Sequence, residues 1–449
     1  MKSLARSPHF LFAALLLLQQ SLHAQDKNYA RKIVDTLASP AMHGRGYVMK
    51  GDKIAADFIA AEFKKLGLKP LRENGGWFQY FSFPINTFPG NMTLQVQSKG
   101  RKKPDPLQPG EEFILRSNSP SIKGTYQVIR ADKQAVATES GWQSFREKDL
   151  RKKFVYVDTA GISDKKQLRL LEDFVKYPRD VKGFIIPVRP SPIALEEGHN
   201  CSRMLPLDLA QVQSTVPVIE ISAPADSVTH ITINAQAKYI KSYKSQNVLG
   251  YIPGSQYPDS FIVFTAHYDH LGHFGKTAYF PGANDNASGV AMMLNLAAHY
   301  MKPENKPKCS IAFLAFGAEE VGLLGSRFFT EFPQITLKNI RFLVNMDILG
   351  TGDEGITVVN ATLFSSEFKE MQRLNAQGSY LPQVKSRGKA WISDHHFFTE
   401  KGVPCFYIYT LGGIKAYHDV CDRSQTLPLT KFDEIFLLLR DFTAVIDNR

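Results

Sequence analysis

Five short segments in the second half of the chain hold side chains that bind metal ions. Ala266-His267-Tyr268-Asp269 sets a histidine at the end of an apolar run, with an acid two residues on. An imidazole there can ligate a cation through one ring nitrogen while Asp269 takes the other N–H and fixes the tautomer. A structural histidine bonded to a carboxylate is the plainer alternative. Gly282 to Gly289 (GANDNASG) carries Asp285 in a polar loop ahead of an apolar helix. Asp285 could cap that helix, or bridge two cations with one oxygen to each. Phe316 to Gly322 (FGAEEVG) sets Glu319 beside Glu320 after a buried run. Adjacent carboxylates repel, so the pair needs solvent, a partner or a metal; the bias of helix N-termini toward acids is the alternative. The two side chains diverge, so one could ligate while its neighbour takes a proton. Asn345-Met346-Asp347 and Tyr417-His418-Asp419 complete the set.

Taken together, these residues suit two zinc ions. One would take His267, Asp347 and Asp285; the other Glu320, His418 and the shared Asp285. Three protein ligands at each leave room for a bridging water, the open coordination of a catalytic zinc. Two metals ~3.5–4 Å apart could activate that water and hold the oxygens of a tetrahedral intermediate. Glu319, outside both sets, would take the water proton and pass it to a leaving amine.

Elements must bring these segments together across more than a hundred residues. Strands are predicted at 247–252, 261–266, 310–316, 340–346, 356–360 and 405–409, and helices at 287–300, 323–329, 366–374 and 431–446. Apolar strands alternating with helices indicate an α/β sheet covered on both faces. Sites in such sheets collect beyond the carboxyl ends of the strands, where most of the five segments stand. Amphipathic helices are predicted at 29–37 and 53–66, the second stopped by Gly67. Between about 91 and 238 the chain turns to short strand-like runs such as Gly183 to Val188 (GFIIPV), which reads as a small β-rich domain inserted into a larger one.

The remaining composition narrows the class. With 43% hydrophobic and 22% charged residues the chain is ordinary globular protein, which excludes wholesale disorder. The net charge of +11 is scattered in short runs without interleaved aromatics, so no nucleic-acid partner is expected. Lys2, Arg6 and the apolar run Phe10 to Leu18 read as a secretory signal peptide over residues 1–24, too short to span a membrane. A periplasmic or secreted chain without a membrane anchor is expected. Export permits disulfides, and at most one or two bridges are expected among Cys201, Cys309, Cys405 and Cys421.

In order and context the segments AHYDHLG, NDNASG, FGAEEVGLLGS, NMDILG, SDHHFF and YHDVCD resemble the co-catalytic zinc aminopeptidases of bacteria, relatives of glutamate carboxypeptidase II. The resemblance covers about 28–84 and 245–448, with HGRG around Arg45 and FKKLGLKP in its N-terminal part. It implies a mixed central sheet flanked by helices. The division would be a peptidase domain in two pieces, 25–90 and 245–449, around an insert at 91–244 that looks like a protease-associated domain. It also implies two zinc ions on the ligand set above, Glu319 as general base, Asp269 behind His267, and a cis peptide after Asp285. Asp394 would support the site, and Tyr417 would stabilise an oxyanion or else pack. The substrates would be peptides with a free N-terminus. Three other activities on this framework stay open: a carboxypeptidase of the glutamate carboxypeptidase type, a glutaminyl cyclase and a non-catalytic receptor-like protein.

Overall fold

The computed structural model describes residues 27–72, 75–188, 207–222, 227–414 and 416–449. The leader expected over 1–24 lies outside the described residues, as does Cys201. No helix among the described residues is long and apolar enough to cross a membrane.

The first sheet has nine strands and is mixed. At its centre Cys309–Phe316, Tyr257–His267, Ile340–Met346 and Cys405–Thr410 lie side by side and parallel. All eight residues of Cys309–Phe316 (CSIAFLAF) are buried, as expected of a strand covered on both faces. Lys238–Ile252 runs antiparallel beside it and pairs in turn with Phe78–Thr87 and Lys69–Pro70. On the far side Ile356–Val359 is antiparallel to Cys405–Thr410 and parallel to Val384–Ser386. Because the four central strands are parallel, their C-terminal ends open on one edge, with His267 level with Phe316 and Met346 level with Ile408.

Helices cover both faces. Ser288–Tyr300 (SGVAMMLNLAAHY) is apolar almost all round and is buried between neighbours. Lys27–Leu37, Gly51–Leu66 and Phe432–Asp447 join it around the largest apolar core. Gly51–Leu66 ends at Gly67, whose φ of 91° lets its N–H close on the carbonyls of Phe63 and Lys64.

A second, eight-stranded sheet is built from residues 92–235. Four of its strands, Ile122–Ala131, Leu150–Val157, Val181–Pro187 and Val218–Ile221, are neighbours and parallel. This stretch is less purely β than its sequence suggested. Parallel neighbours need crossovers, and the helices Glu139–Arg146 and Lys165–Lys176 lie on these connections. Strand alternation splits its packing. Val155 and Val157 meet Trp142, Phe145, Leu171 and Phe174 of those helices. Phe154, Tyr156, Ile185 and Ile219 share a core with Leu271 and Val420 and with Phe274 and Phe280 of the small antiparallel pair Gly272–Phe274 and Ala278–Phe280, all on connections at the first sheet's functional edge. Cys309 and Cys405 are buried and free, while Cys421 is disulfide-bonded.

Candidate metal centre

The edge where the four parallel strands end carries the predicted residues. His267 closes its strand, Glu319 and Glu320 follow Phe316 by three and four positions, Asp347 follows Met346, and His418 stands in the loop after Thr410. His267 Nε2 lies 3.2 Å from Asp347 Oδ1 and 3.3 Å from Asp285 Oδ1. His418 Nε2 lies 3.0 Å from Glu320 Oε2 and 3.4 Å from Asp285 Oδ2. The two oxygens of Asp285 therefore face different histidines, and the five residues form two donor sets that share one carboxylate.

Three loops reach this geometry through left-handed backbone at non-glycine positions: Ala318 (φ 58°), Ile348 (φ 57°) and His418 (φ 55°). Each costs about 1–3 kcal/mol and persists only where surroundings dictate it. The surroundings here are polar anchors. Asn286 donates to the Met346 carbonyl and accepts from the N–H groups of Gly289 and Ile348, so it locks the Asp285 loop to both sides of Asp347. A Cβ on Gly289 would stand 2.3 Å from Asn286 Oδ1, which is why this turn of NDNASG needs glycine. The Asp285–Asn286 peptide is cis. Asp347 accepts from Ser393 Oγ at 3.1 Å, and Ser393 is itself held by Asn345.

Asp269 sits otherwise than its spacing suggested. Its carboxylate is 3.9 Å from His267 Nδ1, while its own backbone carbonyl lies at 3.2 Å. The carboxylate instead accepts from the N–H groups of Glu319 and Glu320 and from the Tyr47 hydroxyl. It fixes the backbone of the two glutamates, because the turn after the strand aims it across the sheet toward the next strand end. Tyr417 stacks on His418 with ring centroids 3.9 Å apart and lines the cleft. Asp394 is fully buried, with oxygens that make no hydrogen bond among the described residues.

The electrostatics divide the adjoining glutamates. Burial, followed by the charges of Asp394, Glu320 and Asp347, holds the Glu319 carboxyl well above its ordinary range despite His267. Burial also opposes ionisation of Glu320, but His418 and His270 outweigh it and hold that carboxyl below its range. Neighbouring carboxyls pushed in opposite directions are the pattern of a proton carrier beside a permanent anion. Burial would raise Asp285 as well, yet His267 and His418 keep it well below.

Does this set fit metal ions? Among the described residues His418 Nε2 makes no hydrogen bond although two carboxylate oxygens lie within 3.4 Å, and the donor atoms of His267, Asp285 and Asp347, and of His270, Asp285 and Glu320, form two groups each within 4.8 Å. Asp285, Glu320, Asp347 and Glu319 crowd among the imidazoles of His267, His418 and His270, four buried acids whose charge cations would offset. Nitrogen and carboxylate donors in threes suit zinc. The residues fit.

Several residues of the centre were missed in the sequence. Arg45 is fully buried and donates all five of its N–H groups to backbone carbonyls: Tyr268, Leu37, Pro281, Gly282 and Asp285. It thereby ties the loop after His267 to the loop before and at Asp285. Asp422 accepts from the N–H groups of Asn284 and Asp285. His270 Nδ1 lies 2.7 Å from Glu320 Oε1, and its Nε2 is buried without a partner among the described residues. HGRG, HYDH and YHDVCD contain these residues, but nothing in the motifs separates them from their neighbours.

Residues 247–443 match the model of peptidase family M28. The chain carries a peptidase family M28 domain. Over 145 residues, 29% of each chain, it is 35% identical to a probable zinc metalloprotease of Pyrenophora teres f. teres. Over 119 residues, 26% of this chain and 24% of the relative, it is 38% identical to aminopeptidase YwaD of Bacillus subtilis. The chain thus spans under a third of the length of these curated relatives. The whole fold has solved counterparts at low identity. A Shewanella amazonensis peptidase M28 precursor superposes with a TM-score of 0.66 at 18% identity, over 97% of this chain and 96% of that one. BSAP, a zinc aminopeptidase from Bacillus subtilis, gives 0.65 at 22% over 93% and 94%. The mixed α/β architecture is therefore that of M28 peptidases.

Proposed function

We propose that this protein is an exported metallo-aminopeptidase that hydrolyses N-terminal residues from peptides with two zinc ions and a glutamate base. The observation that carries the reading is Asp285, one oxygen toward each of two N/O donor sets, with Glu319 beside both and in neither. His267, Asp347 and Asp285 would hold one ion, and His418, Glu320 and Asp285 the other. Bound zinc supplies Lewis acidity and lowers the pKa of water toward neutrality.

The chain's own groups do the rest. Glu319 takes a proton from the attacking water and carries it to the leaving nitrogen. Tyr417, exposed at the cleft beside His418, donates its hydroxyl toward the developing oxyanion. Asp269 keeps Glu319 and Glu320 in place through their backbone N–H groups. The cleft measures about 260 Å³ and adds Ile348, Ile392, Tyr407 and Tyr409 to the site's acids. Those acids favour a substrate ammonium group, and the apolar walls accept a side chain next to it. The name of the YwaD relative points to the same polarity. Residues 1–24 are read as the leader for export.

A second reading draws support from Arg387, which lines the same cleft and donates to the Tyr409 hydroxyl at 3.0 Å. A guanidinium there could grip a terminal carboxylate, as a carboxypeptidase requires. Zinc content and a panel of free, N-acetylated and C-amidated peptides test both. About two zinc per chain, with cleavage only when the N-terminus is free, is the expected result. Turnover of N-acetylated peptides that stops on C-amidation would transfer the assignment to a carboxypeptidase.

A further inference from the structure

Loops of the first sheet brace both donor sets, Glu320 through Asp269 and His270 among them, but one set has a further brace from the second sheet. His267 and Asp347 are held by groups of the first sheet's own loops: the Asp269 carbonyl, Ser393, Asn345 and Asn286. His418 and Glu320 are reached by a short strap, residues 207–214, which crosses from the second sheet. At one end Leu207 N–H donates to the His418 carbonyl, and Asp208 Oδ1 lies 3.6 Å from His418 Nδ1. Further along, Gln211 Nε2 donates to the carbonyl of Val321, the residue after Glu320. The strap is itself fastened. Ala210 accepts from Asn86 N–H, Gln213 donates to Asn86 Oδ1, and the Leu207 side chain is buried in the core that the second sheet shares with Val420.

A histidine that ligates through Nε2 carries its other proton on Nδ1, and an acceptor there orients the ring and makes it a better donor. For His267 that acceptor is a backbone carbonyl of its own loop. For His418 the carboxylate that faces Nδ1 is Asp208, which no motif contains and which belongs to the strap. We propose that Asp208 is the positioning residue of His418, and that the strap from the second sheet sets the affinity of the ion held by Glu320, His418 and Asp285 without affecting its neighbour. The inference rests on the two-ion reading above. It gives the second sheet a task in assembling the metal centre, and it makes the two sites unequal: only the one held by His418 is reached by the strap.

The test is zinc binding, measured on the full chain by competition with a chelator of known affinity, for wild type, Asp208→Ala, Asp208→Asn and Gln211→Ala. Asp208 is 83% exposed, so its substitution leaves the core intact. Asp208→Ala is expected to weaken one zinc about 10–100-fold, the usual cost of losing such a partner, and to leave the other within twofold of wild type. Asp208→Asn, which keeps an acceptor oxygen, recovers most of the loss. Gln211→Ala weakens the same zinc. The apo-protein melting temperature stays at the wild-type value throughout. Two zinc affinities that both stay within twofold of wild type in Asp208→Ala would overturn the inference, as would equal losses at both sites. Wild-type protein that holds a single zinc would instead overturn the two-ion reading, and this inference with it.

Discussion

Replacing Arg45 tests whether a buried cation with no metal contact holds the metal centre in shape. Its guanidinium is fully buried, and each of its five donors meets a backbone carbonyl at 2.7–3.0 Å. Burial brings its pKa down from 12.5 to about 10, so it stays charged at neutral pH. Lysine keeps the charge but offers three donors on one point. At least two of the five carbonyls must then lose their partner, at about 1–3 kcal/mol for each buried group left unmade. Arg45→Lys should therefore destabilise the chain by about 2–6 kcal/mol, and Arg45→Met by more. The loss should concentrate where the carbonyls are, at residues 281–285 and at Tyr268. Urea unfolding gives the total, and amide exchange shows whether the 282–288 loop opens first. Zinc retention should fall with it, because Asp285 moves with its own carbonyl. Arg45→Lys that unfolds within 0.5 kcal/mol of wild type and keeps its zinc would refute the reasoning: the carbonyls would have found other donors.

Two further predictions are independent of Arg45. Glu319→Gln keeps the size of the side chain but cannot accept the proton, so kcat should fall about 10²–10⁴-fold with zinc content unchanged; a loss under tenfold would remove Glu319 as the base. His299 packs edge-on against Phe436 at the end of its helix, and burial, then Arg440 and Lys302, lower its pKa to about 4. The fold favours the neutral ring, so its contribution is intact above about 6.5 and is lost as pH falls from there toward 4. The shift caps that loss at about 3 kcal/mol, and partial solvent screening reduces it to about 1–2. Urea midpoints at pH 7 and pH 4.5 should converge in His299→Gln, and equal acid sensitivity in the two proteins would count against the assignment.

The central strands were readable because burial on both faces leaves a continuous apolar run. Ile340–Met346 begins and ends where the sequence placed it, and Cys309–Phe316 differs by one residue. Elements that lack such a run escaped. Phe78–Thr87 (FQYFSFPINT) alternates buried and exposed residues and contains Pro84, so it reads as broken until its partner Lys238–Ile252 is known. Lys165–Lys176 (KKQLRLLEDFVK) is mostly polar, and its helical character depends on Leu171 and Phe174 finding the second sheet.

The same distinction governs the metal centre. Ligand candidates show themselves by type and number: each histidine, aspartate or glutamate alone has a plainer use, but parallel strands bring all of those ends to one edge. Their supports do not. Arg45 acts on backbone carbonyls, which every residue has, so no pattern of side chains reveals its partners. Asp208 faces His418 across 210 positions of sequence and is an exposed acid like many others until the chain is folded. Sequence spacing and the family resemblance both set the Asp269 carboxylate behind its near neighbour His267; in space the N–H groups of Glu319 and Glu320 are nearer. A donor set can thus be read one residue at a time, whereas the charge and hydrogen bonds that give it shape belong to pairs. That is why the substitutions most informative about this centre lie at Arg45 and Asp208, neither of which is among the candidate ligands.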